Sequence, residues 1–193
     1  MKKLVLGLVV SLISMAGFAH DDGKVSVAKV AELSAHRIDR LVTLGKIDAG
    51  FLKKLDKIEV TKVENAAPVA FKSVVSQTKP ATGSPLQVEI LFDHDGKPLS
   101  FKALAGGAAG SDPQWTEKDA GSLVENALHY VLENSTLPMV APYVNSLTSF
   151  TLTKGTLNGK AVVDGVLASS AQAQKLHVYL KLDGTFISAE VLP

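Results

Sequence analysis

Apolar and polar positions alternate with two different periods along this chain, and the changes of period predict its elements. Val27, Val30, Ile38, Leu41 and Val42 recur at helical spacing. Ser26 is placed to cap that helix and Gly45 to end it. A second and cleaner helical stripe runs through Ala120, Leu123, Val124, Ala127, Leu128, Val131 and Leu132. Thr116-Glu-Lys-Asp119 precedes it as a capping box in which Asp replaces the usual Glu. Each long helix is followed by a shorter apolar stretch, Phe51-Leu52-Leu55 and Met139-Val140-Tyr143, which predicts a further helical turn.

Beyond each short stretch the period falls to two. Ile58-Glu-Val-Thr-Lys-Val63 and Phe150-Thr-Leu-Thr-Lys-Gly155 read as matching strands, and Asn158-Gly159 marks a tight turn into a strand over Lys160 to Ala168. Val88, Ile90 and Phe92 form one face of a strand before Asp95-Gly96, and Leu176, Val178 and Leu180 do the same before Asp183-Gly184. These two hairpin segments align without a gap at an offset of 88 residues: Leu99 falls on Ile187, Ser100 on Ser188 and Leu104 on Leu192. Each reads as a hairpin with a two-residue Asp-Gly turn.

The expected fold class is therefore α+β, with two tandem repeats. Each repeat is expected to be a long helix and a short helix packed on its own four-stranded antiparallel sheet. The expected boundaries are a leader over residues 1–19, a first repeat over 20–104, a Gly/Ala-rich linker over 105–114 and a second repeat over 115–193. Residues 20–110 carry 13 basic and 11 acidic groups and residues 111–193 carry 5 and 8, opposite signs that would favour docking of the halves.

Composition narrows the chemistry. There is no cysteine among the 193 residues, which excludes thiol catalysis, Cys-ligated metal and disulfides. The net charge of +1 gives no bias toward nucleic acid or an anionic membrane. The first nineteen residues combine Lys2 and Lys3, an apolar run from Leu4 to Phe18 and small residues at Gly17 and Ala19, as a secretory signal peptide does. The run is too short to span a bilayer, which needs about 20 apolar residues. Cleavage before His20 would leave a periplasmic or secreted protein with no stable membrane insertion.

Few side chains suggest a site. Cleavage would expose His20-Asp21-Asp22, whose α-amine, imidazole and carboxylates form a candidate copper site. Asp93-His94-Asp95 superficially resembles a calcium loop, but Leu91 and Lys102 occupy positions where that loop needs acidic ligands. His36, His129 and His177 show no His-Glu-x-x-His spacing, and no Gly-x-Ser-x-Gly elbow is present. Trp115, Tyr143 and Tyr179 are the aromatic candidates for recognition. Leu91, His177 and Tyr179 fall on the sheet face opposite the predicted core, which is expected either to meet a protein partner or to pack against the other repeat.

The leader, the amino-terminal His20, the helix ending in Leu-Val-Thr-Leu-Gly-Lys-Ile-Asp48 and the closing strand–Asp-Gly–strand hairpin together resemble small exported domains of the PepSY-like kind. The likeness is greatest to a subgroup whose mature chains begin with His-rich segments. Where that group usually has a tryptophan after the stretch matching Gly45 to Asp48, Phe51 comes closest here. Tandem helix-plus-sheet units are also similar to exported enzyme inhibitors. The resemblance implies a non-catalytic binding module of the cell envelope, with an envelope protein or peptide as partner and no nucleic acid.

Overall fold

The computed structural model describes residues 24–78, 85–104 and 120–193. The leader, His20 to Asp22, residues 105–114, Trp115 and the Thr116 to Asp119 capping box lie outside the described residues.

Helix α1 (Val27–Thr43) begins where Ser26 Oγ accepts a hydrogen bond from the Lys29 N–H at 3.2 Å. It ends in a Schellman turn: the Lys46 N–H reaches back to the Leu41 carbonyl at 2.8 Å and the Gly45 N–H to that of Val42 at 2.9 Å. Gly45 makes this possible at φ +65°. Short helix α2 (Gly50–Lys54) leads into strands β1 (Leu55–Lys62), β2 (Phe71–Gln77), β3 (Gln87–Phe92) and β4 (Pro98–Leu104). Helix α3 (Ala120–Glu133), short helix α4 (Pro142–Asn145) and strands β5 (Leu147–Leu157), β6 (Lys160–Ser169), β7 (Gln172–Leu180) and β8 (Phe186–Leu192) follow in the same order.

The strands do not form two sheets. They make one antiparallel sheet of eight, ordered β4-β3-β2-β1-β5-β6-β7-β8, and this overturns the expectation of two helix-on-four-strand repeats. The join is the pairing of β1 with β5 through Lys57–Thr151, Ile58–Phe150 and Glu59–Ser149. Its physical reason is twofold. The first strand of each meander would otherwise be an edge with unpaired main-chain groups, and joining the two edges removes both. Joining them also places the fully buried Ile58 and Phe150 side by side under one helix layer, and a larger body buries a greater share of its surface than two small ones.

The helix layer confirms that the core is shared. Helix α1 packs on α3, with His36 Nδ1 lying 3.1 Å from Glu125 Oε1 between them, and α1 touches β5 as well as β1 and β2. Alternate residues of the six inner strands enter this layer: Ile58 and Val60, Phe71 and Val75, Val88, Ile90 and Phe92, then Phe150, Leu167, Leu176 and Val178 are all buried. At Gly165 the helix comes so close that an added Cβ would lie 3.1 Å from both the Ala127 Cβ and the Phe150 ring. Ser34 and Ser73, neither with any exposed surface, join α1 to β2. Ser34 Oγ donates to the Val30 carbonyl at 2.7 Å, so its single hydroxyl proton is used. Ser73 must therefore supply the proton of the 2.7 Å contact between the two hydroxyls.

The turns carry a second correction. Asn158 and Gly159, at φ +51° and +75°, form the predicted two-residue β5–β6 turn. The two Asp-Gly connections are longer, spanning 93–97 and 181–185 with a register shift at the end of the preceding strand. Asp93 Oδ1 accepts the N–H groups of Asp95 and Lys97 at 3.0 and 2.8 Å, and Asp183 Oδ1 accepts that of Thr185 at 2.8 Å. The acidic residues thus build the turns, with Gly96 and Gly184 at positive φ.

Candidate functional site on the open sheet face

The described helices form one layer on one side of the sheet, so the opposite face belongs to the alternate residues of each strand. Leu91, His177 and Tyr179 all fall on that face, as the alternation in β3 and β7 requires. The two halves meet through β1–β5 and α1–α3, so this face does not pack against the other half. The structure brings His177 and Tyr179 together, their ring centroids 6.1 Å apart. It does not bring Leu91 to them. Leu91 sits on β3, five strand spacings away from β7, which is about 24 Å at 4.8 Å per spacing.

Two residues missed at the level of sequence complete the cluster. Asp164 on β6 lies in register with Tyr179 and diagonal to His177, and its Oδ2 is 2.9 Å from His177 Nδ1. Both side chains are sunk into the surface, with 13% and 16% exposure. Asp164 Oδ1 is buried with no hydrogen-bond partner among the described residues. Burial is the largest influence on this carboxyl and raises its pKa above the ordinary Asp value, while the His177 hydrogen bond and charge pull the other way. Glu190 on β8 is in register with His177. Tyr179 is only 8% exposed. Burial first, then the Glu190 hydrogen bond and the charges of Asp164 and Glu190, push its pKa up to about 12.

A signal for Asp164 was present in the sequence. A single acid inside Val162-Val163-Asp164-Gly165-Val166 breaks an apolar strand and invites the question of its partner.

The cluster is an ordered arrangement of a shielded phenol, an imidazole and two carboxylates. Among the described residues, the hydrogen bond that His177 makes is the one to Asp164 Oδ2. No group of three His, Asp or Glu side chains among the described residues is arranged to hold a metal ion. No described helix is long and apolar enough to cross a membrane. Among the other described histidines, His36 Nδ1 faces Glu125, His129 Nε2 lies 2.9 Å from Glu133 one helical turn on, and the His94 main-chain carbonyl accepts the Val25 N–H. Tyr143 is fully buried and donates to the Gln174 carbonyl at 2.9 Å, which removes it from the candidates for surface recognition.

No family model matches the chain, and no curated protein matches it either. The PepSY-like resemblance is therefore not supported by these comparisons. Among solved structures, a candidate lipoprotein from Clostridium difficile 630 aligns over 82% of this chain and 91% of its own, at 10% identity and a TM-score of 0.32. That likeness is too slight to carry an argument about fold or role.

Proposed function

We propose that this is an exported, non-catalytic binding protein that engages an envelope protein or peptide through the open face of its eight-stranded sheet. Export rests on the leader-like residues 1–19. The observation that carries the binding role is the Asp164–His177–Tyr179 cluster, edged by the exposed Glu190, on a sheet face that no described helix covers. A tyrosine already ordered by its strand neighbours is the kind of anchor found in protein interfaces, because ordering it on binding costs little entropy. A buried Asp–His hydrogen bond on a face outside the core is weak evidence for stability, and recognition is its better use.

Immobilised mature protein should retain a partner from an envelope extract, and H177A/Y179A should lose it while keeping the wild-type circular dichroism spectrum. Equal retention by the folded double variant would refute the reading.

A further inference from the structure

The two outer strands of the sheet are its least covered elements. Among the described residues β4 and β8 each pair on one side only, and such an edge presents unpaired main-chain N–H and C=O groups. Four of the six exposed large apolar side chains among the described residues lie on these strands: Leu99 and Phe101 on β4, Phe186 and Ile187 on β8. The register shifts stand at the turn ends of the two hairpins, so residues 100–104 and 188–192 are regular strand.

Three properties of the edges point to the same occupant. The first is direction. Every pairing in the eight-stranded sheet is antiparallel, so β4 and β8 run in opposite senses. A second copy of the chain set beside the first, its helices on the same side, therefore brings its β8 antiparallel to β4 and continues the sheet. The second is apolar continuity. Phe101 and Ala103 are in register with the core residues Ile90 and Val88 on β3, and Val191 and Ala189 with the core residues Leu176 and Val178 on β7. Setting Phe101 against Val191 and Ala103 against Ala189 of the second copy joins these into two unbroken apolar rows on the helix side. The third is charge. The same register sets Lys102 against Glu190 of the second copy on the open face, in a row whose next members are Glu89 on β3 and His177 on β7. Lys102 then stands between two carboxylates. Pairing β4 with β4, or β8 with β8, sets no unlike charges across the seam, because Lys102 is the one charged residue of β4 and Glu190 that of β8.

We propose that the chain assembles edge to edge with copies of itself, β4 of one copy pairing antiparallel with β8 of the next through residues 100–104 and 188–192, with Lys102 opposite Glu190. Cross-strand apolar and opposite-charge pairs of this kind stabilise a sheet. The contact is heterologous: each copy uses a different edge toward each neighbour, so the contact repeats and the assembly grows past a dimer. Every copy keeps its Asp164–His177–Tyr179 cluster on the open face, which the assembly repeats and does not cover.

The test is sedimentation velocity of the mature chain over a range of concentrations at low ionic strength, with circular dichroism as the check that each variant is folded. Species larger than a dimer are expected to grow with concentration. K102E and E190K each set like charges across the seam and should each shift that growth to about tenfold higher concentration. K102E/E190K restores unlike charges, and so does an equimolar mixture of the K102E and E190K chains; both should assemble at lower concentration than either single variant alone. K53E makes the same change of net charge as K102E, on helix α2, and should leave assembly unchanged. A chain that stays monomeric at every concentration, or that stops at a dimer, would overturn the proposal. Assembly undiminished in the folded single variants, not recovered in the charge swap and the mixture, or equally weakened by K53E would overturn it as well.

Discussion

His177 Nδ1 lies 2.9 Å from Asp164 Oδ2 across β6 and β7, and the second carboxylate oxygen of Asp164 is buried without a partner. The pair is thus only half satisfied. Because the pKa of Asp164 is raised in the folded protein, folding is favoured by the protonated carboxyl. That contribution is complete below the ordinary Asp value of 3.8 and is lost as pH rises through the raised value. D164N should therefore be as stable as the wild type or more so at pH 7, by no more than about 1 kcal/mol. The advantage should vanish at pH 3. Urea unfolding at the two pH values checks this.

Tyr179 should ionise well above the ordinary phenol value of 10, and a difference titration can isolate it. Subtracting the 295 nm absorbance titration of Y179F from that of the wild type should give a midpoint near 12. E190Q should lower that midpoint, since the Glu190 hydrogen bond and charge both hold the proton on. The unfolded tyrosine ionises near 10, so Tyr179 withdraws stability between about pH 10 and 12 as the unfolded chain loses its proton first.

Ser34 and Ser73 form a buried pair whose two members should couple. S34A leaves the Ser73 hydroxyl buried without its acceptor, which costs about 1–3 kcal/mol. S34A/S73A removes both groups and should cost less than the sum of the single changes, a coupling of about 0.5–1 kcal/mol in a double-mutant cycle. Additive costs would show that the two hydroxyls do not meet.

Gly165 sets the distance between α3 and the sheet. G165V forces branched carbons against Ala127 and the Phe150 ring, which already stand 3.1 Å from a notional Cβ. Strain of about 1–3 kcal/mol is expected, read as a lowered denaturation midpoint with an unchanged m-value.

The individual elements were legible because their causes are local. The helical stripe of Val27 to Val42, the Ser26 cap and the Asn158-Gly159 turn each depend on residues a few positions apart. The single sheet was not legible. Nothing near Ile58 states that its neighbour is Phe150, 92 positions away, rather than solvent at an edge. The alternation in β3 and β7 placed Leu91, His177 and Tyr179 on one face, but strand order alone decides that Leu91 is far from the other two. Asp164 and Glu190 join His177 and Tyr179 only through register.

The most direct measurement is a photo-crosslinking scan in envelope extract, with benzoylphenylalanine placed singly at Lys72, Lys175 and Glu190 on the open face and at Arg40 and Glu133 on the helices. The binding account predicts that one partner crosslinks from the open-face positions and not from the helical ones. A partner captured from Arg40 or Glu133 while the open face stays unreactive would contradict it.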